Sequence, residues 1–532
     1  MNKYYKTLTG LFLVLLLTQQ GYLHAEDGDA PAGDNEQAVN YFDVMEYRVE
    51  GNSKLPKGKI EEAVYPYLGE RKSISDVEKA RAALEKTYHD VGYLTVLVDI
   101  PEQDVANGTV TLNVTEGKVG KLHVTGSKYY SLGRIKTLAP SVTEGEVPYF
   151  PNVQKDMATL NRTADKRVTP VMRAGKEFGT VDVDLKVDDN LPLHASLELN
   201  NQYSLDTSHL RLIGSLRYDN LWQREHSLSL QFQTAPENTS EVKVFSANYL
   251  WRFDDSDTML AFYGVTSKSS VNEATVTAGG TNIQGNGTIL GARVILPLPA
   301  LDNYSHSLSL GVDYKHFGET VVSGGTIQLP VTYTPFSATY NGTEQDAGGQ
   351  TQFIGSLNFN FRDVVSNETE FSNKRYGATT NFFIVKPEVQ RTQQLPWDFQ
   401  GFIRLDGQFT GEPLISNEQY LAGGENSVRG YLEAEVSGDR ALHTTLELRS
   451  PPLLRGLSKV QDFRVLVFYD AAKLSWVDNT ASPPFIAGAG LGVRLKAYKN
   501  FNTDLDFAVA LHNGETTQRG DFRSNFRVWY EF

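Results

Sequence analysis

Apolar residues recur at two different periods along this chain, and the change of period divides it. "LPKGKIEEAVYPYLG" sets Ile60, Ala63, Val64 and Tyr67 at i, i+3, i+4 and i+7, with Pro56 suited to the first turn of an amphipathic helix. A second helix is expected to open at Ser75, where Glu78 completes an S-x-x-E box. It would bury Val77, Ala80, Leu84 and Tyr88 and stop at Gly92. Period two follows, with Leu94, Val96, Val98 and Ile100 alternating as one strand and Val110, Leu112 and Val114 as another. The order then repeats. "GKLHVTGS" (Gly120–Ser127) starts a strand as "YRVEGNS" (Tyr47–Ser53) does. Helical stretches follow around Leu132–Leu138 and at Val153, Met157 and Leu160, and Val181, Val183, Leu185 and Val187 close the unit. Residues 42–119 and 120–191 thus read as two copies of one small α+β module.

From residue 192 onward only period two remains. "LHASLELNN" sets Leu193, Ala195, Leu197 and Leu199 against His194, Ser196, Glu198 and Asn200, and "HLRLIGSLRYDN" repeats the pattern. Similar segments continue to Phe526, Val528, Tyr530 and Phe532. A soluble sandwich would pack its apolar faces inward and wet its polar ones. Here the polar faces carry Arg, Glu and Asn, so the apolar face belongs outside, toward lipid. Tyr218, Trp222, Trp251, Phe253, Tyr314, Trp529 and Tyr530 recur near strand ends, where interface belts require aromatics. Residues 192–532 would supply on the order of sixteen strands of about 10 residues. The expected fold is a transmembrane antiparallel β-barrel preceded by two α+β modules.

Composition narrows the partners. A net charge of −14 and no Lys/Arg cluster disfavour nucleic acid, whose binding depends on releasing counterions from phosphates. Cysteine is absent, which removes disulfides, thiolate nucleophiles and Cys-based metal sites. Lys3 and Lys6 precede the apolar run "LTGLFLVLLLT", and Ala25 suits cleavage, so residues 1–25 read as a signal peptide. Residues 26–41 form an acidic leader. No H-x-x-x-H or G-x-S-x-G occurs, and "GAGLGVR" (Gly488–Arg494) lies in a strand pattern without a following helix, which disfavours phosphate cradling. Carboxylate pairs such as Asp254 and Asp255 are expected in solvated loops. Neither catalysis nor a cofactor or metal is expected.

Residues 411–441 separate the strand-like segments Phe399–Phe409 and Leu442–Ser450, and polar loops of that length are usually functional or disordered. They contain "LAGGENSVRGY". Taken alone, Arg429 would be a solvated arginine on a surface loop.

The motifs resemble those of the two-partner secretion transporters (TpsB, the ShlB/FhaC/HecB haemolysin secretion and activation family), in the superfamily that includes the barrel-assembly insertases. The first module is similar to a POTRA domain in "GN" (Gly51, Asn52), "YLG" (Tyr67–Gly69), "TYHDVGY" (Thr87–Tyr93), "IPEQDVANGTV" (Ile100–Val110) and "VTEGKV" (Val114–Val119). The second resembles the family's other POTRA in "MATLNR" (Met157–Arg162). "VRGY" (Val428–Tyr431) and "VFYDAA" (Val467–Ala472) look like the barrel's paired motifs. Two departures stand out: sixteen residues precede the first module, too few for the family's plug helix, and Ala472 stands where Gly is usual.

The resemblance implies that the loop folds into the lumen and that Arg429 meets Asp470 on the inner wall. A guanidinium suits a carboxylate bidentately, and Gly423, Gly424 and Gly430 permit close approach of the Val428–Tyr431 backbone. The modules would receive an extended peptide by strand addition, with Leu94, Val96, Val98 and Ile100, and Val168 and Val171, as candidate edges. The implied function is translocation of an exported TpsA-like protein across the bacterial outer membrane, with the POTRA domains in the periplasm. Outer-membrane lipid is a further partner; nucleic acid and small-molecule substrates are not expected. A barrel-assembly insertase and a passive porin are the alternatives.

Overall fold

The computed structural model describes residues 40–532 except 206, 255, 270–285, 319, 323–325, 363 and 479–481. The expected signal peptide and nearly all of the acidic leader lie outside the described residues. Two compact units divide between Gly117 and Lys118.

The first unit contains β1 (Phe42–Val44), β2 (Glu46–Glu50), α1 (Lys57–Val64), β3 (Gly69–Lys72), α2 (Ile74–Val91), β4 (Val96–Asp99) and β5 (Thr109–Glu116). Its main sheet has the order β2-β5-β4, with β2 parallel and β4 antiparallel to β5. Val77, Ala80, Leu84 and Tyr88 of α2 are buried, and Gly92 ends the helix at φ +118°. The helix starts earlier than the S75-x-x-E78 reading. Ser73 is the cap, donating its N–H (3.0 Å) and hydroxyl (2.9 Å) to Asp76. The Ser73 N–H, then its hydroxyl, hold the Asp76 carboxyl down at about 2. "SISDVE" offers two overlapping boxes, and the Ser73 start leaves Glu78 free to pair with Arg81 (2.8 Å).

The second unit opens with β6 (Lys118–Thr125), α3 (Leu132–Thr137), α4 (Phe150–Leu160), β7 (Lys166–Ala174) and β8 (Thr180–Asp189). The sheet order β6-β8-β7, with parallel and antiparallel partners on either side of β8, repeats the first unit's arrangement. Ile135, Val153, Leu160, Val168, Val183 and Leu185 form its core.

A closed antiparallel barrel follows. Its first half comprises β9 (Leu193–Asn200), β10 (Arg211–Leu221), β11 (His226–Thr234), β12 (Val242–Arg252), β13 (Met259–Ser269), β14 (Asn286–Pro297) and β15 (Tyr304–Gly318). A small hairpin, β16 (Thr320–Val322) with β17 (Thr326–Gln328), stands outside the barrel ladder. Next, β18 (Val331–Tyr333) and β19 (Phe336–Asp346) both pair with β15 and form one strand interrupted at Pro335, which has no N–H to give the ladder. Then come β20 (Gly349–Asn360), the short α5 (Glu368–Lys374), β21 (Phe382–Gln394) and β22 (Gln400–Thr410). A second hairpin, β23 (Tyr420–Ala422) with β24 (Val436–Gly438), lies within the long loop. The barrel ends with β25 (Arg440–Arg449), β26 (Val460–Ser475), β27 (Phe485–Ala497), β28 (Phe501–Ala510) and β29 (Phe522–Glu531), which closes onto β9. With β18 and β19 counted once, the barrel has sixteen strands.

The pleat explains both surfaces. Phe232, Phe245, Phe262, Leu310, Phe353 and Leu446 are exposed on the outside. Asn248, Arg293, Asp313, Thr339, Ser356 and Asp406 face the lumen. An apolar exterior on a closed ladder is what lipid demands of strands. Trp222 and Trp397 sit on the short turns at the module end, both with positive φ and largely exposed.

Module and barrel in the second unit are joined by charge. Glu225, in the turn between β10 and β11, meets Lys166 and Arg162 at 2.5 Å each, with Lys166 and Glu225 both buried. Burial alone would raise the Glu225 carboxyl, but Lys166 and Arg162 hold it below the usual carboxylate range. Asp254 lies exposed in the loop between β12 and β13, as expected, and there pairs with Arg134 of α3; Asp255 lies outside the described residues. Glu225→Ala leaves Lys166 buried without an anion, which costs about 3–5 kcal/mol. A lower urea midpoint for proteolysis of residues 118–192 in detergent, with unchanged heat-modifiable migration of the barrel, is expected. An unchanged midpoint would show that the turn does not hold the module.

Candidate functional site

The chain from Gly411 to Asp439 leaves β22 and returns to β25 through the barrel lumen. Its tip is Arg429, 3% exposed. The guanidinium grips Asp470 bidentately, Nε to Oδ2 at 2.7 Å and Nη2 to Oδ1 at 2.9 Å, and the Arg429 backbone N–H adds a third bond at 3.2 Å. Nη1 reaches Glu447 at 2.9 Å and lies 3.7 Å from Asp506. The planar cation also stacks on Phe468, 3.5 Å from the ring centroid. Arg449 bonds Glu447 at 2.6 Å and Arg494 bonds Asp506 at 2.8 Å, so three arginines interlock with three carboxylates.

Sequence reasoning named Arg429 and Asp470 but not Glu447, Phe468, Arg494 or Asp506. The signal was register. Phe468 pairs with Glu447 and Gly490, and Gly492 with Asp506, so all share the inward parity of Asp470.

Glycines make the approach possible. Gly423, Gly424 and Gly430 hold φ of +114°, +100° and +100°. On the wall, Gly488, Gly490 and Gly492 of "GAGLGVR" all point inward. A Cβ on Gly488 would lie 1.9 Å from the Arg429 carbonyl oxygen, and one on Gly492 2.3 Å from an Asp506 oxygen. Gly488 is where the loop backbone touches the wall, while Gly490 and Gly492 leave room for Phe468 and Asp506. Beside it Val428 and Tyr431 are buried with Ala422, Val436, Ile486 and Ala510, and the Ala472 methyl joins this apolar cluster. The Tyr431 hydroxyl lies within bonding distance of the His512 (2.7 Å) and Ala487 (3.0 Å) carbonyls.

The loop's two ends are also tied. Glu418 accepts from Lys315 and Tyr333, each at 2.6 Å. Asp439, fully buried, binds Arg375 through both oxygens and accepts N–H bonds from Val477 (2.7 Å) and Leu414 (3.2 Å). Around these ties an apolar cluster fills the far end of the lumen, opposite the module. It unites Phe371 of α5, Leu414 and Ile415 of the loop, and Phe317, Tyr333 and Phe382 of the wall.

In the modules, Val96, Val98 and Val168 are core residues, Leu94 and Ile100 flank β4 rather than lying in it, and Val171 is half-buried on β7. Strand addition there would use backbone alone, yet that edge already has partners. Glu85 of α2 accepts from Val98 N–H (3.0 Å), Arg81 donates to Val98 C=O (3.1 Å), and His89 lies 3.0 Å from Val96 C=O. In the second module Asn161 takes both groups of Val168, at 2.6 and 2.9 Å. An incoming strand must displace these side chains.

Among the described residues one group could hold a metal ion, Asp165, His194 and Asp219 at the module–barrel junction. There His194 Nε2 already sits 3.1 and 3.4 Å from the two carboxylates, and Arg217 stands 2.8 Å from Asp219.

The chain thus carries a tethered loop with an Arg–carboxylate lock on the wall of a module-bearing barrel. A model described as haemolysin secretion/activation protein ShlB/FhaC/HecB matches residues 179–495, more than half the chain. The chain belongs to this family. A model of the ShlB-type POTRA domain matches residues 42–117. The chain is 23% identical over 398 residues to the heme/hemopexin transporter protein HuxB of Haemophilus influenzae, covering 73% of this chain and 68% of that protein. It is 23% identical over 451 residues to the outer membrane transporter CdiB of Dickeya dadantii, covering 78% and 73%. In structure it is similar to CdiB from Escherichia coli, with a TM-score of 0.65 at 18% identity over 94% of this chain and 93% of that one. BamA from Haemophilus ducreyi lacking POTRA domains 1–3 gives a TM-score of 0.55 at 15% identity, covering 92% and 100%. These likenesses share a fold.

Removing Arg429 leaves the buried Asp470 without its cation, a loss of up to about 3–5 kcal/mol where burial is complete. In planar bilayers Arg429→Ala and Gly488→Ala are each expected to raise the open-channel probability roughly tenfold or more. Parental conductance in both variants, with the barrel folded, would remove the loop from control of the lumen.

Proposed function

We propose that this protein is an outer-membrane translocator for an exported partner protein. Its modules, on the periplasmic side, receive the partner unfolded, and the barrel passes it to the surface or medium. The observation that carries this reading is the loop locked inside a closed barrel: Arg429 on Asp470, Glu447 and Asp506 fixes the tip of the loop to the lumen wall. Family membership supports the same task. Arg429 and Asp470 hold the loop in its secretion-competent place, with Gly423, Gly424, Val428, Gly430 and Tyr431 shaping it to the wall.

The α2 and Asn161 side chains on β4 and β7 suit capture by exchange, since an extended partner would trade main-chain bonds for those that Glu85, Arg81 and Asn161 now supply. Such capture needs little sequence specificity. The driving force would be folding of the partner outside, because the periplasm offers no nucleotide.

Deleting the protein is expected to abolish release of one extracellular protein and leave other outer-membrane barrels at parental levels. A joint fall of many barrels would instead support the insertase reading. Arg429→Ala should reduce that release roughly tenfold or more while the variant barrel inserts normally. Parental release would sink the proposed role of the pair.

A further inference from the structure

Just before Arg429 the loop tip meets a second cluster of wall residues. The tip is a tight turn, in which Gly424 N–H donates to Val428 C=O and Ser427 N–H to Gly424 C=O, each at 3.2 Å. The Asn426 and Ser427 carbonyls are taken by the wall. Arg404 of β22 donates to the first at 3.3 Å, and Nε2 of His443 on β25 lies 3.1 Å from the second.

His443 is 1% exposed. Its Nδ1 lies 2.7 Å from the carboxylate of Asp406, the residue directly across the ladder on β22. Asp406 also accepts from the Tyr420 hydroxyl of β23 at 2.6 Å and has Arg404 Nε at 3.1 Å, while Arg404 pairs with Glu388 of β21 at 3.2 Å. On its other flank His443 stands opposite the uncharged Ala472 of β26, and Thr445, opposite Asp470, has its hydroxyl 3.5 Å from Nε2. Within the loop, Glu425 N–H donates to Glu433 at 2.8 Å beside the same turn.

Both ring nitrogens of His443 therefore point at groups that only accept, a carboxylate and a peptide carbonyl. A neutral imidazole has one N–H and can serve one of them; the imidazolium serves both. We infer that His443 is a positioning residue for the loop, a tie that holds only while it carries a proton. Protonated, it bridges Asp406 to Ser427 C=O and keeps the turn that bears Arg429 against the wall. When solvent takes the Nε2 proton, Nδ1–H stays on Asp406 and a nitrogen lone pair faces the Ser427 oxygen. The Thr445 hydroxyl can then turn its hydrogen to that lone pair, which closes the wall without the loop. The tied loop thus holds one proton more than the released loop, so the tie is present at low pH and lost as pH rises through the imidazole's titration. Arg429 and His443 grip one turn with different cations: the guanidinium keeps its charge throughout, and the imidazolium does not. The inference rests on the reading of the loop as the element that controls the lumen.

The test records open-channel probability of the full-length protein in planar bilayers from about pH 5 to about pH 8, the range in which an ordinary imidazole changes charge. The parental protein is expected to open roughly tenfold more often at the upper end, the factor that one charge-assisted hydrogen bond carries. His443→Gln, which never carries a charge, should give a flat profile, and Asp406→Asn, which removes the anion that holds the imidazolium, should flatten it as well. His123→Gln, at an exposed position of β6, should keep the parental rise. A loss of packing alone would move the probability without changing its dependence on pH. Heat-modifiable migration confirms the folded barrel in each variant. A flat parental profile, or a His443→Gln variant that retains the rise, overturns the tie. Arg429→Ala is recorded alongside. If it opens at every pH while the parental profile is flat, the proton-held tie is rejected and the loop's control of the lumen stands. If it stays at the parental level, that control is rejected and the tie with it.

Discussion

A backbone amide in hydrocarbon has no partner except another strand. That constraint closes the barrel. Sixteen strands satisfy one another around a ring, the last meeting the first from Arg527 with Asn200 to Glu531 with Ser196. Closure fixes register, and register decides which side chains share the lumen. Asp470, Glu447, Phe468 and Asp506 come from three strands, yet one guanidinium touches or neighbours all of them because inward parity aligns them. The lock at the loop tip is a product of the ladder.

Accommodating a loop within that ring needs room as well as charge. A barrel wall bearing ordinary side chains would hold the Val428–Tyr431 backbone away from Asp470. Gly488 removes that obstacle, so the Arg429 carbonyl of the loop rests where a Cβ would otherwise be. Polar anchoring and steric permission are therefore supplied by adjacent strands, β26 and β27. The two act together: without Gly488 the pair could not close, and without the pair the Arg429 tip would lose its polar anchor.

Much of this was legible in the sequence, and for definite reasons. Period two with polar inner and apolar outer faces announces a barrel, because lipid inverts the usual arrangement. The repeat of strand, helices and strands announces two modules. The α2 face of Val77, Ala80, Leu84 and Tyr88 was readable, but its cap was placed at Ser75 because two boxes overlap and local spacing cannot rank them. Arg429 and Asp470 could be paired only through family resemblance. Glu447, Arg494 and Asp506 needed the register, which depends on turn lengths spread over the whole barrel. "GAGLGVR" was noticed for its glycines, yet their purpose depends on a loop some 60 residues earlier. The edge-capping roles of Glu85 and Asn161 were hidden for a similar reason: which strand lies at the edge of a sheet is a fact of topology, not of composition.

The apolar cluster at the far end of the lumen has a bearing on the envelope in which such a barrel would sit. Phe371, Leu414, Ile415, Tyr333 and Phe382 make that end apolar, whereas the space beneath is lined by hydroxyls, amides and charged groups such as Arg293, Asp313, Lys386 and Arg404. A wide polar tube open at both ends would pass small solutes continuously. With one end apolar and the other polar, the described residues shape the lumen as a cup instead of a pipe of uniform lining.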